Sequence, residues 1–215
     1  MKRPDRVTLE GLHVRIVPVD PVLHAPELYR GSHGEGCESL WRYLFVGPFA
    51  SEQEFRSYLE LRAVSRDPLF FTILDAADDT PKGYASLMRI KPDHGVIEVG
   101  NILYLPSLQR TIGATEAMFL MARYVFEDLG YRRYEWKCDS LNEPSRRAAL
   151  RLGFTFEGIF RQHMIVKGRN RDTAWYSMLD TEWPARRAVF EAWLDPANFD
   201  KQGRQKTRLA AGERR

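Results

Sequence analysis

The chain has 215 residues, 44% of them hydrophobic and 12% aromatic, with a formal net charge of +3. That is ample apolar material for a core, and one large domain is the expected organisation at this length. No apolar run approaches the ~20 residues of a membrane span, and the charged start Met1-Lys2-Arg3-Pro4-Asp5-Arg6 lacks the apolar stretch of a secretory signal.

Residues 8–17 read as a strand with Leu12, Val14 and Ile16 on its apolar face, ended by Pro18. Residues 20–30 and Glu38 to Leu44 read as short helices, the second stopped by Gly47-Pro48. Ser51 with Glu54 makes a capping box, followed by a helical stripe of Phe55, Tyr58, Leu59, Leu61 and Val64. The period then changes. Leu69 to Leu74, Gly83 to Ile90 and Val96 to Tyr104 are strands joined by short polar turns, which predicts an antiparallel meander.

Residues 113–129 form an apolar helix that must be covered on much of its surface, with Gly130 as its stop. Arg133 to Cys138 alternates as a strand, and Asn142 caps the next helix, which carries Pro144 in its first turn and ends at Gly153. Phe154 to Val166 and Asp172 to Leu179 read as a hairpin around the turn Lys167–Arg171, and Thr181 to Trp193 as the last helix.

Residues 201–215 hold six basic residues and one acid, a net +5 that leaves −2 on the other 200. Residues 200–215 are therefore expected as a basic, disordered tail on a single domain of residues 1–199. The acidic balance of the body argues against a nucleic-acid surface. Cys37 and Cys138 form no metal-ligand spacing with each other or with the histidines, so no metal is expected. Nothing calls for an oxidising compartment, which makes a cytoplasmic location the expectation.

The fold class is α+β (mixed α/β). A central mixed, mostly antiparallel sheet is expected with helices on both faces, and the unit from residue 96 to 138 as a right-handed parallel crossover.

Two segments carry chemistry. In Gln109-Arg110-Thr111-Ile112-Gly113-Ala114-Thr115 the free amides and positive end of the helix attract an anion, Gly113 permits close approach, Arg110 can bind phosphate, and Thr111 and Thr115 offer hydroxyls. A pyrophosphate fits that set. A plain cap with a glycine for packing fits it equally well. The second segment, Asn142 to Phe154, places Ser145 in a first helical turn where its hydroxyl can face a ligand, at the carboxyl end of a parallel strand.

These segments, with Leu9-Glu10-Gly11-Leu12-His13-Val14-Arg15, Trp41-Arg42-Tyr43-Leu44, Glu157 to His163, Arg171 to Ser177 and Glu182-Trp183-Pro184, resemble the GNAT acetyltransferase superfamily, RimJ/RimL-type branch, over about residues 8–185. The resemblance implies acetyl-CoA as co-substrate, an amine acceptor (a protein N-terminus, peptide, amino acid derivative or small molecule), and a homodimer. It implies cofactor contacts at Gln109, Arg110, Thr111, Gly113, Ala114, Thr115 and Asn142. The pantetheine arm is expected to pair with strand amides around Asn101, Leu103 and Tyr104. Two loop registers are open: the one starting at Pro106 keeps Gln109 and Ala114 but puts Ile112 where glycine is usual, and the one through Arg110 keeps Gly113 but ends at Thr115.

Many superfamily members place a tyrosine acid seven residues after the asparagine, where this chain has Ala149, so the resemblance passes the thiolate-side hydroxyl to Ser145. Glu98 stands where the family often carries a general base; a solvent-facing residue or a structural ion pair are its alternatives. His163, among Arg161, Lys167, Arg169 and Arg171, suits binding or structure better than base catalysis. Trp41, Tyr43 and Phe49 read as a cleft wall or, more simply, as packing of the N-terminal helices. The competing functional reading is a catalytically weak acyl-CoA-binding sensor or interaction module, which Ala149 and Ile112 would permit.

Overall fold

A computed structural model describes residues 1–209. Its strands are β1 (Leu9–Glu10), β2 (Val14–Pro18), β3 (Leu69–Asp75), β4 (Pro81–Lys91), β5 (Val96–Tyr104), β6 (Arg133–Asp139), β7 (Thr155–Val166) and β8 (Arg169–Leu179). They form one sheet in the order β1-β2-β3-β4-β5-β6-β8-β7, antiparallel everywhere except between β5 and β6. The helices are α1 (Pro21–Ser32), α2 (Glu38–Trp41), α3 (Glu52–Val64), α4 (Ile112–Arg123), α5 (Glu143–Arg151) and α6 (Trp183–Leu194). The chain has the expected mixed, mostly antiparallel sheet with α4 as the crossover between its parallel strands.

Both faces of the sheet are covered, which explains the unbroken apolar run of β3: six consecutive residues from Leu69 are buried. Leu69, Phe71 and Ile73 point into the larger core with α4 and α6, whereas Phe70 points into a smaller one with α1, α3 and Trp41. Nine of the twelve residues of α4 are buried, and a π-helical turn, Tyr124–Asp128, continues it. At the far edge β7 leaves Phe156, Ile159, Phe160 and Ile165 exposed.

Some expectations are corrected. The strand expected over residues 8–17 is two short strands, because the chain turns at Gly11, whose amide donates to Val14 O at 3.0 Å. Leu12 lies in that turn and is 72% exposed, not on an apolar face. The helix from Glu38 stops at Trp41, whose buried indole is anchored to Ser32 O at 2.7 Å.

Residues 200–209 are not a free tail. Gln205 bridges to Phe199 and its Oε1 accepts from the Trp193 indole at 2.9 Å, Asn198 Oδ1 accepts from the Thr207 amide at 2.9 Å, and Leu209 is buried. Apolar Leu209 and the polar clamp hold against α6 what charge alone would release. Residues 210–215 of the expected tail lie outside the described residues. Among the described residues no helix is long and apolar enough to cross a membrane, and no His/Cys/Asp/Glu group could hold a metal ion.

Candidate active site

The parallel pairing of β5 and β6 covers only Val96 to Val99 against Arg133 to Trp136. Beyond it β5 is bent by a bulge: Tyr84 faces Leu103 and Ser86 faces Gly100, so two residues oppose one. Asn101 takes a positive φ of 50° there, and its Nδ2 donates to Ser86 Oγ at 2.9 Å, which donates on to Gly100 O at 3.1 Å. The bulge parts β5 from β6 and leaves the edge of β5 without a strand partner. A cleft of about 2240 Å³ opens from this gap along α4 and α5 to the C-terminal segment. It exceeds the ~300–1,000 Å³ of an ordinary small-ligand pocket and has room for a long cofactor and an acceptor.

The residues expected from the sequence to carry catalysis or hold the cofactor all line this one cleft: Glu98, Leu103, Tyr104, Gln109, Arg110, Thr111, Gly113, Ala114, Thr115, Asn142 and Ser145. Their local roles differ. Arg110 has a φ of 62° and turns the loop into α4. Thr111 caps that helix, its Oγ1 accepting from the Ala114 amide at 3.2 Å and donating to Leu108 O at 2.7 Å. The amides of Arg110, Ile112 and Gly113 have no acceptor among the described residues, which makes the turn a nest for an anion.

Gly113 is required for packing, since a Cβ there would meet Val14 Cγ1 at 2.8 Å. The Thr111 hydroxyl is spent on the cap, its proton on Leu108 O, whereas buried Thr115 accepts from Arg151 Nη1 at 3.0 Å and keeps its own proton. Gln109 folds back onto Tyr104 O at 3.0 Å, and the Tyr104 hydroxyl donates to Ala114 O at 3.1 Å, tying β5 to α4.

On α5, Asn142 Oδ1 caps the Ser145 amide at 3.2 Å. Ser145 Oγ accepts from the Trp136 indole at 3.0 Å, which fixes the hydroxyl and leaves its proton for a ligand. Ala148 lines the cleft while Ala149 is fully buried in the core, and neither methyl group can serve as an acid. Cys138 is buried beside Ser145, and burial pushes its thiol up against the opposing pull of the Ser145 hydroxyl; it is no ready nucleophile.

At the other end Glu98 is 3% exposed and is ion-paired, not solvent-facing. Its Oε2 meets Arg89 Nη1 at 2.6 Å and Lys137 Nζ at 2.9 Å, and its Oε1 has no hydrogen-bond partner among the described residues. Tyr43 and Phe45 line this end, whereas Trp41 and Phe49 pack with His33 and Phe55 in the smaller core. His163 stands outside the cleft, its Nδ1 at 2.9 Å from Thr173 Oγ1.

Sequence reasoning missed Arg89, Lys137 and Arg171 in the cleft, and Glu116 beneath it. Glu116 is buried and accepts from the amides of Leu12, His13 and Val14 at 2.9, 2.7 and 2.9 Å, locking the β1–β2 turn to α4. The readable signal was a lone carboxylate in an otherwise apolar helix. Arg151, over the Trp193 ring at 5.1 Å, belongs here too: burial pulls its guanidinium down and it faces the α4 side of the cleft, where it meets Thr115.

Residues 13–155 match the family model of the acetyltransferase (GNAT) domain. A GCN5-related N-acetyltransferase from Brucella melitensis is similar at 51% identity, covering 97% of this chain and 94% of its own, with a TM-score of 0.94. A probable GNAT-family acetyltransferase from Chromobacterium violaceum is 40% identical over 85% of this chain and 91% of its own, with a TM-score of 0.80. An uncharacterized N-acetyltransferase, p20, from Bacillus licheniformis is 26% identical over 66% of this chain and 81% of its own. The parted parallel strands, the anion nest at the head of α4 and these likenesses agree: the chain belongs to the GNAT family of acetyltransferases and is an acyltransferase.

Proposed function

We propose that the protein transfers an acetyl group from acetyl-CoA to a primary amine by direct attack, in the cytoplasm. The observation that carries the reading is the cleft itself, with unpaired amides of Ile112 and Gly113 at one end and Glu98 with a free Oε1 at the other. The nest and Arg110 suit the pyrophosphate, and Arg151 adds positive charge beside them. The open edge of β5 suits the amides of a pantetheine arm, paired as an added strand would be. In the reaction the amine nitrogen bonds to the thioester carbonyl carbon and the C–S bond breaks. Glu98 takes the proton from the amine, directly or through one water. Ser145, held by Trp136, donates a hydrogen bond to the departing sulfur. No acyl-enzyme is needed, since Cys138 lacks a base. Two copies joined through the exposed apolar edge of β7 are the assembly this reading favours.

Calorimetry with acetyl-CoA and CoA tests the donor: both are expected to bind, and binding of neither sinks the reading. Thiol release across an amine panel then tests the reaction, and tight binding without turnover on any amine would make the protein a sensor.

Ser145→Ala separates catalysis from binding. A hydrogen bond to a charged group is worth about 1.5–3 kcal/mol, so kcat should fall roughly 10- to 150-fold. The Kd for CoA should move far less, because the hydroxyl meets the sulfur most strongly when charge develops there. Equal losses in kcat and in CoA binding would make Ser145 a binding residue only.

A further inference from the structure

We infer that the acceptor of this cleft carries an anionic group, a carboxylate or a phosphate, close to its amine, and that Arg171 is the residue that binds it. The assignment rests on the acetyl-transfer reading for what the cleft does. The nature of the acceptor comes from the charges buried at its far end.

A chain of ion pairs runs there from Arg89 to Glu98 (2.6 Å), Glu98 to Lys137 (2.9 Å), Lys137 to Glu135 (2.7 Å) and Glu135 to Arg133 (2.6 Å), ending on Glu157. Three cations stand against three carboxylates, so this chain is neutral in itself. Arg171, on β8, is surplus to it.

Arg171 is 6% exposed and lines the cleft. Its Nε donates to Thr173 Oγ1 at 3.1 Å, and the Phe45 ring covers the guanidinium with 4.9 Å from Cζ to the ring centre. Neither Nη makes a hydrogen bond among the described residues, and no carboxylate there comes within ion-pair distance. Asp139 and Glu98 act on it only from farther off, with Arg89 opposing; Asp139 Oδ1 is committed to the Leu141 amide at 2.9 Å.

Removing a guanidinium from water costs several kcal/mol, and buried charges in folded proteins are paired. Here the open nitrogens face the cleft, where a ligand can supply the partner. An arginine with a purely structural task would spend its nitrogens on carbonyls, as Lys167 does on Trp41 O at 2.7 Å and Arg169 on Arg42 O at 3.1 Å. Those two hold the α2 segment in place; Arg171, buried beneath it, keeps its fork open. That planar fork matches a carboxylate or phosphate bidentately, and Phe45 fixes its plane. With Glu98 receiving the amine, the acceptor is a molecule or chain end bearing both groups within one cleft end.

The test uses the full chain, acetyl-CoA and two matched pairs of amines compared at equal free-amine concentration: glycylglycine with glycylglycinamide, and O-phosphoethanolamine with ethanolamine. At least one charged member should show a kcat/KM about tenfold or more above its neutral partner, as a charge-assisted bidentate pair provides. Whichever pair shows it identifies carboxylate or phosphate. Arg171→Met should bring that ratio near one while acetyl-CoA binding is kept, and Arg171→Lys should restore part of it. Equal rates on charged and neutral members in the unmodified protein, or equal losses on both in R171M, overturn the assignment. If no probe is acetylated, the same pairs are titrated into the CoA-loaded protein. Charge-selective binding that R171M abolishes upholds the anion site and counts against amine acetylation; binding without selectivity, or no binding, overturns the site.

Discussion

Glu98→Gln is expected to lower kcat on an amine acceptor on the order of 10²–10³-fold at neutral pH, within the range of a positioned general base. The physical basis is the acceptor's own ionisation. An alkyl amine or α-amino group is largely protonated at pH 7, and its nitrogen has no lone pair for attack until a proton leaves. Oε2 of Glu98 is held by Arg89 and Lys137, at 2.6 and 2.9 Å, so the carboxylate is fixed in place and Oε1 is the atom left for the incoming ammonium. Glutamine keeps the shape but cannot take the proton. The variant then depends on amine that arrives already neutral. Its deficit should be largest near pH 7 and shrink as pH climbs through the pKa of the amine. That pH profile is the decisive readout. Glutamine also weakens the pairs to Arg89 and Lys137, so some loss of thermal stability will accompany the effect, but a merely structural role for Glu98 would give a loss that does not vary with pH. A pH-independent loss, or an unchanged profile, removes Glu98 as the base.

The elements were legible wherever one local pattern set them. The strand from Val96 to Tyr104 and the helix capped by Asn142 were read directly, since alternation, cap and glycine stop all lie within a few residues. The site residues came from a motif whose parts are likewise local. What escaped is what the fold brings together across distance. The ion-pair chain joins Arg89, Glu98, Lys137 and Glu157 from four strands, and no period in the sequence marks it. Arg151, on another helix, reaches the Thr115 hydroxyl, a contact that no local pattern around Thr115 announces. For Trp41 the simpler of its two readings holds, packing of the N-terminal helices, with its indole buried against Ser32.

Residues 200–209 were misjudged because charge dominated the composition there. Their order comes from Trp193 and Asn198, which reach Gln205 and Thr207 from outside the segment. The C-terminal segment lines the same cleft as the loop from Gln109 to Gly113, so its docking on α6 shapes the end of the cleft proposed for the pyrophosphate.

Glu116→Ala should destabilise the protein by about 3 kcal/mol or more, the largest stability effect expected of a single change near the site. One carboxylate there satisfies three buried or part-buried amides, those of Leu12, His13 and Val14. Each donor left without a partner costs about 1–3 kcal/mol, with water entry relieving part of the sum. At roughly 2–4 °C per kcal/mol for a chain of this size, the melting temperature should drop by about 10 °C. The site must feel it as well. Glu116 lies one residue past Thr115 and fastens the first turns of α4 to the β1–β2 turn, where Gly11 leaves the carboxylate its space: a Cβ there would meet Glu116 Oε2 at 2.5 Å. Loosening that clasp frees the helix end whose amides form the anion nest, so acetyl-CoA should bind more weakly even at temperatures where the variant stays folded. Glu116→Gln gives the control. Its one oxygen can serve part of the amide set, while its NH₂ faces donors and can accept nothing; it should fall between the parent and the alanine variant. If alanine costs less than about 1 kcal/mol, the range of an ordinary neutral hydrogen bond, the three-amide clasp is not what holds α4 to the sheet edge.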